Sequence, residues 1–96
     1  MSDWLGLPGA DLVRQGLHDL RVGKESEQAL LVAIGAPRLR RLGIDVPVLE
    51  APEHQLYDLL AREEPNSAHS RYNALIRRLV SFERALECER ERAARP

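Results

Sequence analysis

The sequence predicts an all-α domain: a small bundle of four helices plus a short helical turn, with a long C-terminal helix. Three observations carry this. β-Branched side chains are scarce, six Val, three Ile and no Thr against sixteen Leu and eleven Ala, so residues that favour a pleated surface are few. Apolar residues recur at three- and four-residue spacing along most of the chain. Apart from Gly16, Gly and Pro fall at the edges of those stretches rather than inside them. At 96 residues the chain, 1–96, forms one domain with a single core that buries roughly two-thirds of its unfolded surface.

Pro8-Gly9 introduces a first helix over residues 10–22, with Leu12, Val13, Leu17 and Leu20 on one side, and Gly23 stops it. Gly16 falls within the apolar arc, where a missing side chain admits a second helix closely. Glu25-Ser26-Glu27 brings a capping hydroxyl and acidic charge to the start of 28–34, which is apolar nearly all round and is the expected buried centre. A strand over 29–34 is the competing reading; two Ala dilute the run, and a solitary strand leaves its backbone unpaired. Gly35 ends that helix, and Pro37 suits the first turn of a short amphipathic piece, 37–42.

Residues 44–51 contain Pro47 and run into Pro52, so they form an extended connector, expected to be pinned by Ile44, Val46, Val48 and Leu49. Helix resumes at Pro52, with Leu56, Tyr57, Leu59 and Leu60 facing inward, until Pro65. Asn66 or Ser67 then opens the longest helix, 67–92. Along it Tyr72, Leu75, Ile76, Leu79, Val80, Phe82 and Leu86 build a broad apolar face whose a/d-like subset resembles a helix-pairing seam. Residues 87–96 are polar nearly all round, a helical extension or frayed tail with Glu87–Arg90, Glu89–Arg92 and Glu91–Arg95 at pairing distance. Trp4, Leu5 and Leu7 are expected to tuck the amino terminus onto the core.

Formal net charge is −1, so no whole-molecule field steers the chain to nucleic acid or an anionic membrane. Acidic and basic blocks alternate along it, an arrangement that pairs within a fold or across a dimer. No apolar run approaches membrane-spanning length, and Met1-Ser2-Asp3-Trp4 is acidic where a signal peptide is basic. These features, with thirteen Arg to one Lys, lead us to expect a cytoplasmic bacterial protein. Lone Cys88 makes no intrachain disulfide, and Glu87 and Glu89 disfavour its thiolate. No P-loop is present, since Glu25 stands where the magnesium-binding hydroxyl belongs. His18, His54 and His69 lie on separate segments without metal-ligand spacing. No nucleophile elbow surrounds any of the five Ser. Neither metal nor cofactor is expected, and no catalytic centre.

Three constellations remain. Glu83 lies on the apolar face of the last helix and, if buried, needs an arginine from another segment or a second subunit. It marks a possible dimer interface with Leu75, Leu79, Phe82 and Leu86. His69, Tyr72 and Asn73 gather at the helix start with Arg77 on the same flank, a set suited to a carboxylate, phosphate or peptide backbone. An enzyme built on His69, Tyr72 and Glu83 would require all three in one cleft. Arg38, Arg40 and Arg41 crowd the short helical piece, where free amides beside Pro37 with Arg38 or Arg41 would hold a small anion. With Arg77 and Arg78 they would otherwise serve a nucleic-acid-binding regulator, although six residues is short for a recognition helix. The leading expectation is a protein that acts by protein–protein interaction, self-associating as a homodimer through the C-terminal helix.

Overall fold

The computed structural model describes residues 4–94, and its regular structure is all helix, with no strand among them. Five helices follow in order: α1 (Ala10–Arg21), α2 (Glu27–Ile34), α3 (Ala36–Arg41), α4 (Pro52–Glu63) and α5 (Ala68–Ala94). The molecule measures 50 × 26 × 19 Å, its long axis set by α5, whose 27 residues span roughly 40 Å at 1.5 Å per residue.

α2 is the centre. Ala29 to Ala33 are all buried, and the helix touches each of the other four. A helix without a polar face is stable only when neighbours cover every side, and α1 covers the largest share. Their close crossing depends on Gly16: a Cβ there would lie 2.4 Å from both the Gln28 carbonyl oxygen and Val32 Cγ2. The loop between them is clasped by polar groups. Ser26 Oγ donates to Asp19 Oδ2 and accepts from the Ala29 amide at 3.1 Å, capping α2. Gln15 Nε2 donates to the other Asp19 oxygen at 3.0 Å. The Ser26 hydrogen bond, chiefly, holds the Asp19 carboxyl below its usual range.

The remaining helices close round this pair. Arg71 of α5 joins Glu27 of α2 at 2.6 Å and Glu63 of α4 at 3.3 Å. Burial and the nearby Glu63 raise the Glu27 carboxyl, while Arg71 pulls it down. Trp4 is buried edge-on against Phe82 with ring centroids 5.3 Å apart. Leu7 is half-buried, but Leu5 stays 50% exposed, unlike its expected role. Arg40 clamps the connector by donating from Nε and Nη2 to the Val46 carbonyl at 3.0 and 2.6 Å.

Ile44 and Val46 are buried as expected of a pinned connector, whereas Val48, expected with them, is 86% exposed. The clamp ends at Val46, and Pro47, with no N–H to pair, turns the chain away before Val48 can follow. The polar end of α5 is helical to Ala94 and tied down at Arg90, whose Nε donates to the Leu42 carbonyl at 3.2 Å. Glu89–Arg92 pairs at 2.8 Å as its spacing implies, but Glu87 turns instead to Arg38 at 3.2 Å. Arg95, the expected partner of Glu91, lies outside the described residues.

Two outcomes follow for equilibrium unfolding. Gly16→Ala should lower stability by about 2–3 kcal/mol, because overpacking against the α2 backbone outweighs the helix propensity gained. Ala51, the residue before α4, has φ 48° and ψ 50°, a left-handed conformation made worse by the following Pro. Ala51→Gly should therefore stabilise by about 0.5–1 kcal/mol. Urea titrations of both variants check the opposite signs.

Candidate functional site

The side chains of greatest chemical interest meet between the α2–α3 junction and α5. Gly35, at that junction, leaves room for two α5 side chains: a Cβ on it would lie 2.9 Å from Glu83 Oε2 and 3.0–3.1 Å from the Leu79 methyls. Glu83 is only 4% exposed. Its Oε1 faces Arg38 Nη1 at 3.6 Å, a contact too long for a hydrogen bond. Burial pushes its carboxyl above the usual range, and Arg38 and Arg41 pull it back only in part. The partner that Glu83 required is thus an arginine of its own chain, so nothing about this carboxylate calls for a second subunit.

Glu83 lines a groove of about 270 Å³ between Ile34, Pro37, Ile76 and Val80, with Arg38 and Arg41 at its edge. A second groove of about 220 Å³ adjoins it, sharing Ile34 and Pro37 and continuing over Leu49, Pro52 and the protruding Val48. Together they form one strip with apolar Ile34 and Pro37 at its centre, bordered by Arg38, Arg40, Arg41, Glu53 and Glu83.

The expected interface on the inner face of α5 is already occupied. Leu79, Phe82, Glu83 and Leu86 are buried within the chain, and Leu75 is half-buried. The helix-pairing periodicity is satisfied by α2, α4 and the Trp4 segment, which leaves that seam closed to a second copy. Sequence spacing alone does not distinguish a seam between molecules from one within a molecule.

The second expected set does not converge. His69 is exposed, with Nε2 3.2 Å from Asn73 Nδ2. Tyr72 is half-buried and tilts against Tyr57 at 5.9 Å, its phenol pushed up by burial and then by Glu53. Arg77 lies beside a separate concavity with Pro8 and Gly9. Glu83 follows His69 by fourteen residues, roughly 21 Å along the helix, so one cleft cannot hold both as an enzyme there would need. The third set is largely engaged: Arg38 with Glu83 and Glu87, Arg40 with Val46. Arg41 alone makes no hydrogen bond or ion pair among the described residues. α3 has six residues and presents too little surface for a major groove.

Sequence reasoning missed two positions. Gly35 reads as a helix stop but also seats Glu83, a role the glycine between two apolar helical stretches could have signalled. Val48 reads as core but protrudes beside the groove. Among the described residues, no three His, Cys, Asp or Glu are grouped to hold a metal, and no helix is long and apolar enough to cross a membrane. Compared with known proteins, the chain matches no family model, no curated protein and no solved structure.

The raised Glu83 carboxyl has a calculable sign. Between its unfolded and folded pKa values the folded chain keeps a proton that the unfolded chain has lost, so this group lowers stability as pH rises through that window. Glu83→Gln should be more stable than the wild type at about pH 7, with Arg38 still held by Glu87. The advantage should vanish as pH falls below the ordinary glutamate range, about 4.3. Urea midpoints measured across pH decide the matter, and a variant less stable at every pH contradicts it.

Proposed function

We propose that this chain is a cytoplasmic protein-interaction module that docks another protein segment across the apolar strip centred on Ile34 and Pro37. One observation carries the reading: two adjoining grooves share their central apolar residues and lead to Val48, which is 86% exposed although no contact of its own chain requires it there. Continuous apolar surface rimmed by charged residues is the usual form of a protein contact. Arg38 and Arg41 on one border, with Glu53 on another, supply directional charge. The lone, exposed Cys88 suits a reducing compartment. Self-association remains one form of this function, now through Ile76 and Val80 on the outer flank of α5 rather than through its buried seam.

A nucleic-acid role for Arg38, Arg40 and Arg41 is the weaker reading, because freeing Arg38 or Arg40 would break contacts that hold α3 in place. A pocket at His69 and Tyr72 is weaker still, since those residues line none of the concavities described above.

Site-specific photo-crosslinking tests the proposal. A benzophenone side chain is placed at Val48 or Ile76, with Val22, 64% exposed but on α1's far end, as the control. Val48 and Ile76 should trap the same species in living cells, whether a second copy or another protein, and Val22 should not. Equal trapping at all three positions, or none at Val48 and Ile76, overturns the reading.

A further inference from the structure

On the opposite side of the fold, α1, the Trp4 segment and the start of the connector enclose a concavity of about 480 Å³. Its floor is apolar: Trp4, Leu17 and Ile44 are each less than a tenth exposed. Above the floor stand Arg14, His18 and Arg21, at positions i, i+4 and i+7 of α1 and therefore on one side of the helix. None of these three side chains makes a hydrogen bond or ion pair among the described residues, a condition they share with Arg41, whereas Arg38, Arg40, Arg71 and Arg78 are engaged. The helix dipole favours His18 and Arg21 in the last turn but offers nothing to Arg14 in the middle. Like charges one turn apart repel, and the nearby carboxylates, Asp19 beside His18 and Asp45 on the rim, are fewer than the cationic side chains gathered there. Asp45 is the one acidic group on the rim, set against two permanent cations and an imidazole.

Trp4 supplies a second observation. It is only 7% exposed, and its indole N–H has no hydrogen-bond acceptor among the described residues. No buried side-chain nitrogen or oxygen is left without a partner, so this N–H keeps a route to solvent. A tryptophan so nearly buried ordinarily has its N–H engaged. Here the donor is not engaged by the described residues.

We infer that this concavity is a binding site for a small organic acid, its apolar body resting on Trp4, Leu17 and Ile44 and its anionic group held by Arg14 and Arg21. Pockets of this size with an apolar floor and a few converging polar groups are typical of small-molecule sites, and guanidinium pairs suit carboxylates. The site is separate from the α3–α5 strip, so either proposal stands or falls without the other.

Trp4, the sole tryptophan, reports on the site directly. Its fluorescence is followed while the intact protein is titrated with decanoate, kept below micelle formation, and separately with decanol as the uncharged counterpart, kept below its solubility limit. Decanoate should give a saturable change at a concentration at least about tenfold lower than decanol, a tenfold ratio being what one charge-assisted contact supplies. The Arg14→Gln, Arg21→Gln double variant should bind decanoate about tenfold more weakly or worse. Arg84→Gln, an exposed arginine on α5, should bind like the wild type. Circular dichroism confirms that each variant is folded. Equal response to decanol, decanoate binding that survives loss of both arginines, or no saturable change at millimolar decanoate overturns the inference.

Discussion

Every helix in this protein is placed by the need to cover α2, which has no face suited to water. Ala29 to Ala33 bury their entire circumference, a condition unusual for so short a helix outside a larger core. It is met by contrast in the neighbours. α1 comes in to backbone contact at Gly16, α4 presents Leu56 and Leu60, and α5 brings Leu79, Phe82 and Leu86. A side chain at position 16 would hold α1 away and leave part of α2 uncovered.

The charged residues follow from that geometry. Arg71 can reach Glu27 and Glu63 only because α2, α4 and α5 meet at one corner, and Arg40 reaches Val46 only because α3 turns back over the connector. Glu83 is the exception among the carboxylates. It is enclosed by helix packing before any hydrogen bond is made, and its two arginines compensate by charge alone. A buried ion pair of this kind adds little stability.

How much of this was legible in the sequence depended on the range of the interaction. The buried character of 29–34, the Ser26 cap and the packing role of Gly16 are local patterns and appear directly in residue spacing. The burial of Asp19 does not, because Asp19 belongs to the polar-looking side of α1 until Ser26 and Gln15 enclose it. The expectation that the connector is pinned by its apolar residues held at Ile44 and Val46 and failed at Val48, which lies beyond the Arg40 clamp on the Val46 carbonyl and after Pro47. The need of Glu83 for an arginine was evident from its place on an apolar face. That Arg38 would supply it depended on the approach of two helices at Gly35, a tertiary fact that no window of sequence contains. The α1 concavity escaped notice for the same reason: Arg14, His18 and Arg21 look solvated until Trp4 and Ile44 are seen beneath them.

The clasp between α1 and α2 also bears on the order of assembly. Its participants, Gln15, Asp19, Ser26 and Ala29, lie within fifteen consecutive residues, and the helices they join share the most extensive interhelical contact in the molecule. Closing so short a stretch costs little chain entropy, and contacts near in sequence form early and fast. A helical hairpin made from the first third of the chain can therefore exist as a template during synthesis, displaying the uncovered sides of α2 until α5, the last helix to emerge, completes the core.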